Sequence, residues 1–558
     1  LTTTYTYGCA CAAGPSRKTV SGLKNADEVV LDAMVTDYEY DSVTGLLSKE
    51  KVYRDFQGAT VAGATLDTSY TYDNLNRLLT TTLPGGTVTK SVSYDDASQQ
   101  STYTDELGKQ TVFTYDDFGK LTQIMRSVTL DDTLTDLTTS YGYDVYGRIT
   151  SVTQPDSSVT SYTYDALNRV TAVTYPLESG ETTAASVSLS YNDTDNSVTV
   201  TNEAGAVIAM ETSDWAGRLT EAEQYPATGK TYTWSFTYDE LGNRISQTDP
   251  ESKTVFTEYN GLGKVTRVTL PAVDFLEKPG TVWSDVTNNA LYNTIGYDDM
   301  GNAVWQLGAR GNRATGDAQD MFKAVTTYDA LGRPVKVTSK ATKPTADAGT
   351  VESVTKIYYN ALGQKTSVKV NNKETSYTYT DLGFLATETD PEGNVTRYAY
   401  DNKGNKTAVV DARGTGIADD TYKTKYDYDE LGRVKETTLP GGTRKTSVIY
   451  DTNGNKTSET DVAGVVHAYT YTKRGWVLSE AVNGAVVITN SYYKTGKLKE
   501  QTDALGNKTA YTYDNLGRVT QVDYCKDEPE EKTEYFTYDF AGNKESVTNG
   551  NSVVTNFS

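Results

Sequence analysis

One eight-residue phrase, close to Tyr-Asp-x-Leu-Gly-Arg-Val-Thr, recurs along the chain and limits the fold more than any other feature. Clear copies begin at Tyr115, Tyr143, Tyr164, Tyr238, Tyr297, Tyr328, Tyr428, Tyr513 and Tyr538, with weaker ones at Tyr259, Tyr359, Tyr379, Tyr471 and Tyr492. At Ser213 the Tyr is lost, yet Asp214, Gly217 and Arg218 remain. Tyr379 to Tyr400 is a step of 21 residues and Tyr428 to Tyr450 one of 22, while the steps from Tyr450 through Tyr471 and Tyr492 to Tyr513 are each 21. A fixed period of this length is the mark of a tandem array, in which one small unit buries its surface only against its neighbours. About twenty such units would fill nearly the whole chain.

The phrase is a turn code. Asp opens the turn because its short carboxylate accepts backbone N–H groups two residues on, and Gly three residues later supplies the positive φ that closes it. Asn76 and Asn168 stand at that closing position, and Asn tolerates the left-handed region next best. The turn residues expected on this basis are Tyr115, Asp116 and Gly119; Tyr143, Asp144, Gly147 and Arg148; Tyr164 and Asp165; Tyr238, Asp239 and Gly242. The same pattern continues through Tyr328, Asp329, Gly332 and Arg333; Tyr428, Asp429, Gly432 and Arg433; and Tyr513, Asp514, Gly517 and Arg518. A fainter turn falls about halfway round each unit, as at Asp105–Gly108, Asp390–Gly393 and Asp503–Gly506, or as Pro84-Gly85-Gly86 and Pro440-Gly441-Gly442. Two turns per unit leave two strands of about six residues, so each unit reads as a β-hairpin.

Ahead of each main turn Tyr alternates with other residues, as in Tyr70/Tyr72, Tyr162/Tyr164, Tyr377/Tyr379 and Tyr511/Tyr513. Residues i and i+2 share one strand face, so stacked hairpins would carry Tyr ladders on one side and Thr on the other. Tyr occurs 43 times against 11 Phe, 5 Trp and 5 Met, a bias that suits half-buried strands and leaves little for compact apolar cores. Cross-strand aromatic contacts contribute about 0.2–1 kcal/mol each and accumulate along such an array. Tyr rows can also stack sugar rings, but their tie to strand register in nearly every unit favours packing.

Charge and chemistry narrow the function. A net charge of −22 and a pI near 4.6 leave no basic footprint for nucleic acid, and no run of about 18 apolar residues exists to span a bilayer. No cofactor is implied. Ca²⁺ is the one ion the acidic turns could collect, with Asn192-Asp193-Thr194-Asp195-Asn196 as the best local candidate, although it lacks the Gly and distal Glu of an EF-hand loop. Three cysteines make no disulfide framework: Cys9 and Cys11 sit in a Cys-x-Cys too short for a zinc hairpin, and Cys525 stands alone. His467, the sole histidine, lies in an ordinary strand pattern with no nucleophile elbow or metalloprotease helix around it. Paired carboxylates such as Asp116-Asp117 and Asp298-Asp299 belong to turns, so no enzyme is expected here.

The stretch Gly506 to Arg518, with Thr509, Tyr511, Tyr513, Asp514 and Gly517 in place, resembles the hallmark of the Rhs/YD-repeat family, and its repetition makes the match specific. That family includes bacterial Rhs and wall-associated polymorphic toxins, the B and C components of insecticidal toxin complexes, and teneurins. The resemblance implies an all-β fold of tandem YD-repeat hairpins in one long spiralling sheet, either a hollow β-shell or a superhelical β-solenoid. Roughly forty strands about 4.8 Å apart make a ribbon near ~200 Å wide, which must curl or close. The aspartyl self-cleavage motif, the toxin domain and the plug of family toxins have no counterpart here, and the abrupt ends imply a section of a longer chain.

Two regions depart from the array. Residues 1–36 read as a lead-in holding Cys-x-Cys and a short helix over Asn25 to Val35; residues 37–558 read as the array itself, with insertions near 271–289 and 308–321. Those insertions, with Phe275 and Trp283 in them and Trp305 nearby, are where loops could carry binding. The functional expectation is a shell or scaffold section of a secreted or surface protein, bacterial by resemblance, that encapsulates its own C-terminal effector. The alternative is an extracellular filament or adhesin of stacked repeats. Partners are accordingly the chain's own cargo domain or further copies of itself, with a glycan or cell-surface receptor as the other candidates.

Overall fold

The computed structural model describes residues 2–7, 14–56, 64–130, 133–277, 284–309, 312, 319, 322–342 and 350–557. Cys9, Cys11, Trp283 and most of 308–321 therefore lie outside the described residues. Among the described residues the chain forms 45 strands, and the strand pairings described join chain neighbours antiparallel, as in Val159–Tyr164 with Val170–Thr174. This is the hairpin array that the period and turn chemistry require, and the fold is all-β.

Each main turn is a three-residue loop in which the closing residue adopts the left-handed region, a standard hairpin solution. Thus Asp165 N–H donates to Arg169 O at 3.0 Å, Asn168 N–H donates back to Asp165 O at 3.2 Å, and Asn168 sits at φ 65°. Just beyond, the register slips. Thr163 pairs with Ala172 but Tyr164 with Val170, so Thr171 is an extra residue in the outgoing strand. The same slip recurs at Thr237/Tyr238, Thr327/Tyr328, Thr378/Tyr379 and Thr512/Tyr513. A bulge of this kind bends its strand and increases the local twist, so the repeated phrase also repeats a curvature.

The two faces differ as the alternation suggests. In Val159–Tyr164 and Val466–Tyr471 the Tyr side chains are half-buried while the Thr between them is exposed. On the exposed face hydroxyls pair across strands, Thr163 with Thr171 at 2.9 Å and Thr378 with Thr387 at 2.7 Å. Among the described residues, the large side chains with under 2% exposure are Leu23, Val128 and Val410. The sheet is a wall, stabilised by pairs within it rather than by a central core.

The chain divides into two compact units. One comprises Leu1–Val112, Phe256–Gly432 and Thr437–Arg444; the other comprises Phe113–Val255, Arg433–Glu436 and Lys445–Ser558. Each is therefore built from an early and a late segment of the same array.

Three expectations need correction. No helix forms over Asn25 to Val35: Asn25 Oδ1 accepts the N–H groups of Asp27 and Val29, and Asn25 N–H donates to Val29 O, closing a loop of hairpin sense. The array also starts earlier than residue 37, because Thr2–Thr6 pairs with Arg17–Ser21, which pairs with Met34–Tyr40. Third, Phe275 lies in a strand, not a loop. The described part of the 271–289 insertion lengthens a hairpin, Val265–Glu277 with Ser284–Tyr297, with Phe275 opposite Val286 and a register slip between Thr269 and Ala272 that accommodates Pro271, which has no N–H to donate.

Trp305 lies across from Gly296, and a Cβ built on Gly296 would overlap its indole ring. Gly296→Ala is therefore expected to cost about 1–3 kcal/mol through overpacking, read as a lower denaturant midpoint by Trp fluorescence. At Gly142 the same Cβ meets first the Ser151 hydroxyl, which can rotate away, so Gly142→Ala should cost less. Equal stability of Gly296→Ala and the parent would remove the close approach from the account.

Candidate functional site

The repeated turn is the element with the most built chemistry, and it works as a clamp. Asp144 Oδ1 accepts the N–H of Tyr146 at 2.9 Å and of Arg148 at 3.0 Å, while Arg148 Nε donates to Asp144 Oδ2 at 2.7 Å. Asp514 with Arg518 and Asp329 with Arg333 repeat the arrangement, at 2.7 Å and 2.6 Å for the guanidinium bond. Asp165 does the same with Arg169. In Asp239 the partner is the Asn243 amide at 2.9 Å. Asp116 accepts from the N–H groups of Phe118 and Lys120, and Asp429 from that of Leu431. Gly119, Gly147, Gly242, Gly332, Gly432 and Gly517 close these turns at φ from 75° to 85°.

Each clamp also grips the next. Tyr143 Oη donates to Leu121 O at 2.6 Å, Tyr164 to Ile149 O at 2.7 Å and Tyr238 to Leu219 O at 2.7 Å, in every case the first residue after the preceding turn's Arg or Lys position. Tyr328 and Tyr428 bond Ala303 O and Lys406 O likewise. The guanidinium of Arg148 lies 4.7 Å from the Tyr164 ring centroid, Arg333 4.6 Å from Tyr359, Arg433 4.2 Å from Tyr450 and Arg518 5.0 Å from Tyr538. Arg518 Nη1 further donates to Asp539 O at 2.7 Å. Where the cation is replaced, Phe384 and Trp476 stack on Tyr400 and Tyr492 at 5.2 and 5.3 Å. Tyr115 ends the strand Gln110–Tyr115, and Tyr513 meets the Tyr493 ring edge-on. The YD phrase is thus both a turn and a tie between repeats.

In a subset of turns these bonds lower the carboxyl pKa. The Arg218 side chain keeps Asp214 below the ordinary carboxylate range, and the amides of Asn243, Asn394, Asn507 and Asn543 do the same for Asp239, Asp390, Asp503 and Asp539. A folded-state value below the unfolded one, about 3.9, contributes stability that is present above that pH and lost as pH falls through the folded value. We expect unfolding midpoints to stay level from about pH 7 to pH 5 and to fall below about pH 4. A steep loss between pH 7 and pH 5 in a pH-resolved denaturation series would contradict it.

Within each unit the late segment is stapled to the early one. In the first unit Lys403 Nζ donates to Asp105 Oδ2 at 2.8 Å across 298 residues, and Asp27 accepts from Lys356 and from Tyr358 across 329 and 331. Burial pushes the Asp105 carboxyl up, but Lys403 and the N–H groups of Lys109 and Leu107 outweigh it and hold the group low. Burial and the Asp27 carboxylate push the Tyr358 hydroxyl up to about 12. In the second unit Glu178 accepts the N–H groups of Lys473 and Arg474, both at 3.0 Å and across 295 and 296 residues. Tyr232 Oη donates to Tyr538 O across 306, Trp234 meets Phe540 at 6.2 Å, and Asn515 N–H donates to Pro226 O. The late partner is repeatedly a YD turn, here Asp401–Gly404, Thr472–Gly475, Asp514–Gly517 and Asp539–Gly542; the early partner is the halfway turn at Asp105, the loop at Glu178 or the hairpin of Leu219–Ala227 and Lys230–Tyr238.

A cleft of about 560 Å³ lies beside this seam in the second unit, lined among others by Tyr175, Glu203, Asn453, Lys473, Arg474 and Trp476. Arg474 is held there by Glu178 and Glu181 at 3.8 and 3.7 Å, with Tyr175 and Trp476 on its faces. The remaining sequence candidates are placed as follows. His467 Nδ1 sits 3.0 Å from Glu480 Oε1 on the neighbouring strand. In the acidic loop, Asp193 pairs with Arg169 at 2.6 Å while Asp195 accepts from Asn192 and Ser197. Cys525 is half-buried in a turn as a free thiol. Lys323 Nζ lies 4.5 Å over the Trp305 ring. Sequence reasoning missed the clamp's return bond and the seam.

Comparison with known proteins agrees with this geometry. The family model of the teneurin YD-shell matches residues 86–273, and that of the RHS repeat matches residues 379–415 and 492–524. The tRNA3(Ser)-specific nuclease WapA of Bacillus spizizenii is 28% identical over 208 residues, which is 36% of this chain and 8% of that protein. The crystal structure of TcdB2-TccC3-TEV aligns with a TM-score of 0.63 at 14% identity, covering 96% of this chain and 31% of that one. That of TcdB2-TccC3-Cdc42 aligns at 0.62 and 13%, covering 98% and 31%. At such identities the structural likeness is one of fold, and the chain spans only a fraction of each relative's length. The recurrent YD turn and its hairpin array thus coincide with teneurin YD-shell sequence over residues 86–273 and RHS repeats over 379–415 and 492–524, and make the chain similar to Rhs/YD-repeat proteins.

Proposed function

We propose that this stretch is the wall section of a large secreted or cell-surface protein and encloses an effector polypeptide carried C-terminal to it. A shell-type structural role follows from these matches and the fold; enclosure is the further step. The observation that supports it is the seam, where late YD turns and the strand Thr350–Tyr359 bind segments 289 to 331 residues earlier. Such staples convert a ribbon of hairpins into stacked courses of wall. The wall itself performs no catalysis in this reading, because the turn carboxylates already bind backbone N–H groups, Arg and Asn. It needs no cofactor, and the acidic loop at Asn192–Asn196 needs no Ca²⁺. Cryo-electron microscopy of the full-length parent polypeptide, with limited proteolysis of the same particle, tests it. Density enclosed by the sheet, with the effector cut only after the wall is opened, is the expected result. An empty interior and an effector cut while the wall stays intact would sink encapsulation. A filament or adhesin is the second reading, favoured by the exposed apolar turn tips Phe118, Tyr146, Trp215 and Leu241.

A further inference from the structure

The cleft beside Arg474 lies where the array departs from its own pattern. The connection over residues 154–158 is a tight halfway turn, whereas the next one runs from Tyr175 to Ala185. That longer loop brings Tyr175 and Glu178 to the late YD turns, so both walls of the cleft belong to segments already joined at the seam. In the YD clamps the tyrosine hydroxyls, guanidinium groups and turn carboxylates bond within the protein. Around the cleft a cluster of polar groups does not. Among the described residues, the Gln154 amide, the Tyr175 hydroxyl, the Glu203 carboxylate, the Lys473 ammonium and the Trp476 indole N–H make no hydrogen bond or ion pair with the protein. Arg474 is different. It is 6% exposed, is held by Glu178, Glu181 and Lys494 O, and stands 5.4 and 4.9 Å from the Tyr175 and Trp476 ring centroids. It braces the two rings from behind.

We propose that the cleft is a binding site for a neutral saccharide, with a sugar ring against Tyr175 and its hydroxyls bonded by Gln154, Glu203, Lys473 and the Trp476 N–H. Each sugar hydroxyl both donates and accepts, and the set supplies both senses. Glu203 accepts, Lys473 and Trp476 donate, and the Gln154 amide does either. A sugar ring also has a C–H face, which an aromatic ring covers while the hydroxyls stay at its edge. Aromatic walls with a few convergent polar groups are the usual make-up of a small-molecule site, and about 560 Å³ lies within the roughly 300–1,000 Å³ such sites span. Charge selects a neutral ligand. Lys473 and Arg474 are outnumbered by Glu178, Glu181 and Glu203, so an anion meets no net positive charge. An apolar ligand would strand the free polar groups away from water. Enclosure of an effector is not required for this site.

A glycan array carrying neutral oligosaccharides beside sialylated and uronate-bearing ones, probed with the whole chain, provides the test. The best neutral sugar is then titrated by NMR. The expected result is saturable binding of a neutral oligosaccharide, with a Kd on the order of 1 mM or tighter. Glu203→Ala should weaken it about tenfold and Gln154→Ala about fivefold. Both variants should keep the parent's denaturant midpoint, because neither side chain has a protein partner. Binding of acidic sugars alone, binding of no sugar, or a neutral sugar whose affinity is unchanged in both variants overturns the proposal.

Discussion

Asp329→Ala is expected to be among the most damaging single substitutions in the array. The Asp329 side chain is 0% exposed beside an Arg333 that is 17% exposed. Its Oδ1 accepts the N–H of Leu331 at 2.9 Å and of Arg333 at 3.0 Å, and its Oδ2 accepts Arg333 Nε at 2.6 Å. Alanine leaves two N–H groups without their acceptor and a buried guanidinium without its counter-charge. Breaking a buried pair in this way costs about 3–5 kcal/mol. Asp329→Asn keeps Oδ1 and loses the charge, so it should cost less, about 1–2 kcal/mol. In a tandem array each unit couples mainly to its neighbours, so the damage should be local. Hydrogen exchange should quicken in Ala324–Tyr328, Pro334–Thr342 and Thr350–Tyr359, the last because Tyr359 Oη bonds Pro334 O, and should return to normal within a repeat or two. A midpoint equal to the parent's, or a loss spread evenly over the chain, would overturn the clamp as the source of local stability.

Much of this clamp is legible in the residues because it is local. The Asp acceptor and the left-handed closing position depend on four or five consecutive residues, and Asn76 and Asn168 adopt φ 64° and 65° where Gly stands elsewhere. The return bond from the fourth residue after Asp is equally local, but Arg, Asn and Lys all occupy that place, so no single residue type announces it. The Tyr hydroxyl bond is harder to foresee. Alternation says which face Tyr takes but not that its oxygen reaches the backbone of the preceding repeat. The helix expected over Asn25 to Val35 failed for a related reason: Asn25 N–H donates to Val29 O and Glu28 takes φ 63°, which closes a hairpin-type loop of the same kind as the YD turn.

The division into two units, and the seam within each, is not legible in the repeats. Any late turn is chemically able to stack on any early one, so the offset of 289 to 331 residues depends on accumulated twist and on hairpin length. One turn does carry a signal. At Thr472 the phrase lacks its Asp, and Thr472 Oγ1 accepts the N–H groups of Arg474 and Trp476 at 3.2 Å each, longer than the carboxylate bonds elsewhere. A turn that has lost its carboxylate is a place to look for one from outside, and Glu178 supplies it.

That substitution yields the second large effect. Glu178→Ala is expected to open the seam of the second unit at this turn. The Glu178 side chain is 12% exposed and Arg474 6%, with the two charged groups 3.8 Å apart. Alanine strips the N–H groups of Lys473 and Arg474 of their acceptor and leaves Arg474 with Glu181 at 3.7 Å as its remaining carboxylate in the seam. By the same reckoning the loss is about 3–5 kcal/mol, here between segments rather than along one. Exchange should therefore rise together around 176–182 and 472–476, while the pairing of Val466–Tyr471 with Val477–Val482 persists within the late segment. Adding Thr472→Asp separates turn from seam. It should restore protection at Arg474 and Trp476 by rebuilding the turn's own carboxylate, yet leave 176–182 exposed. If the Glu178→Ala protein keeps full protection on both sides, the carboxylate is incidental to the seam. If Thr472→Asp restores both sides, Glu178 serves the turn alone, and the cohesion of early and late segments must rest on the Tyr232, Trp234 and Phe540 cluster.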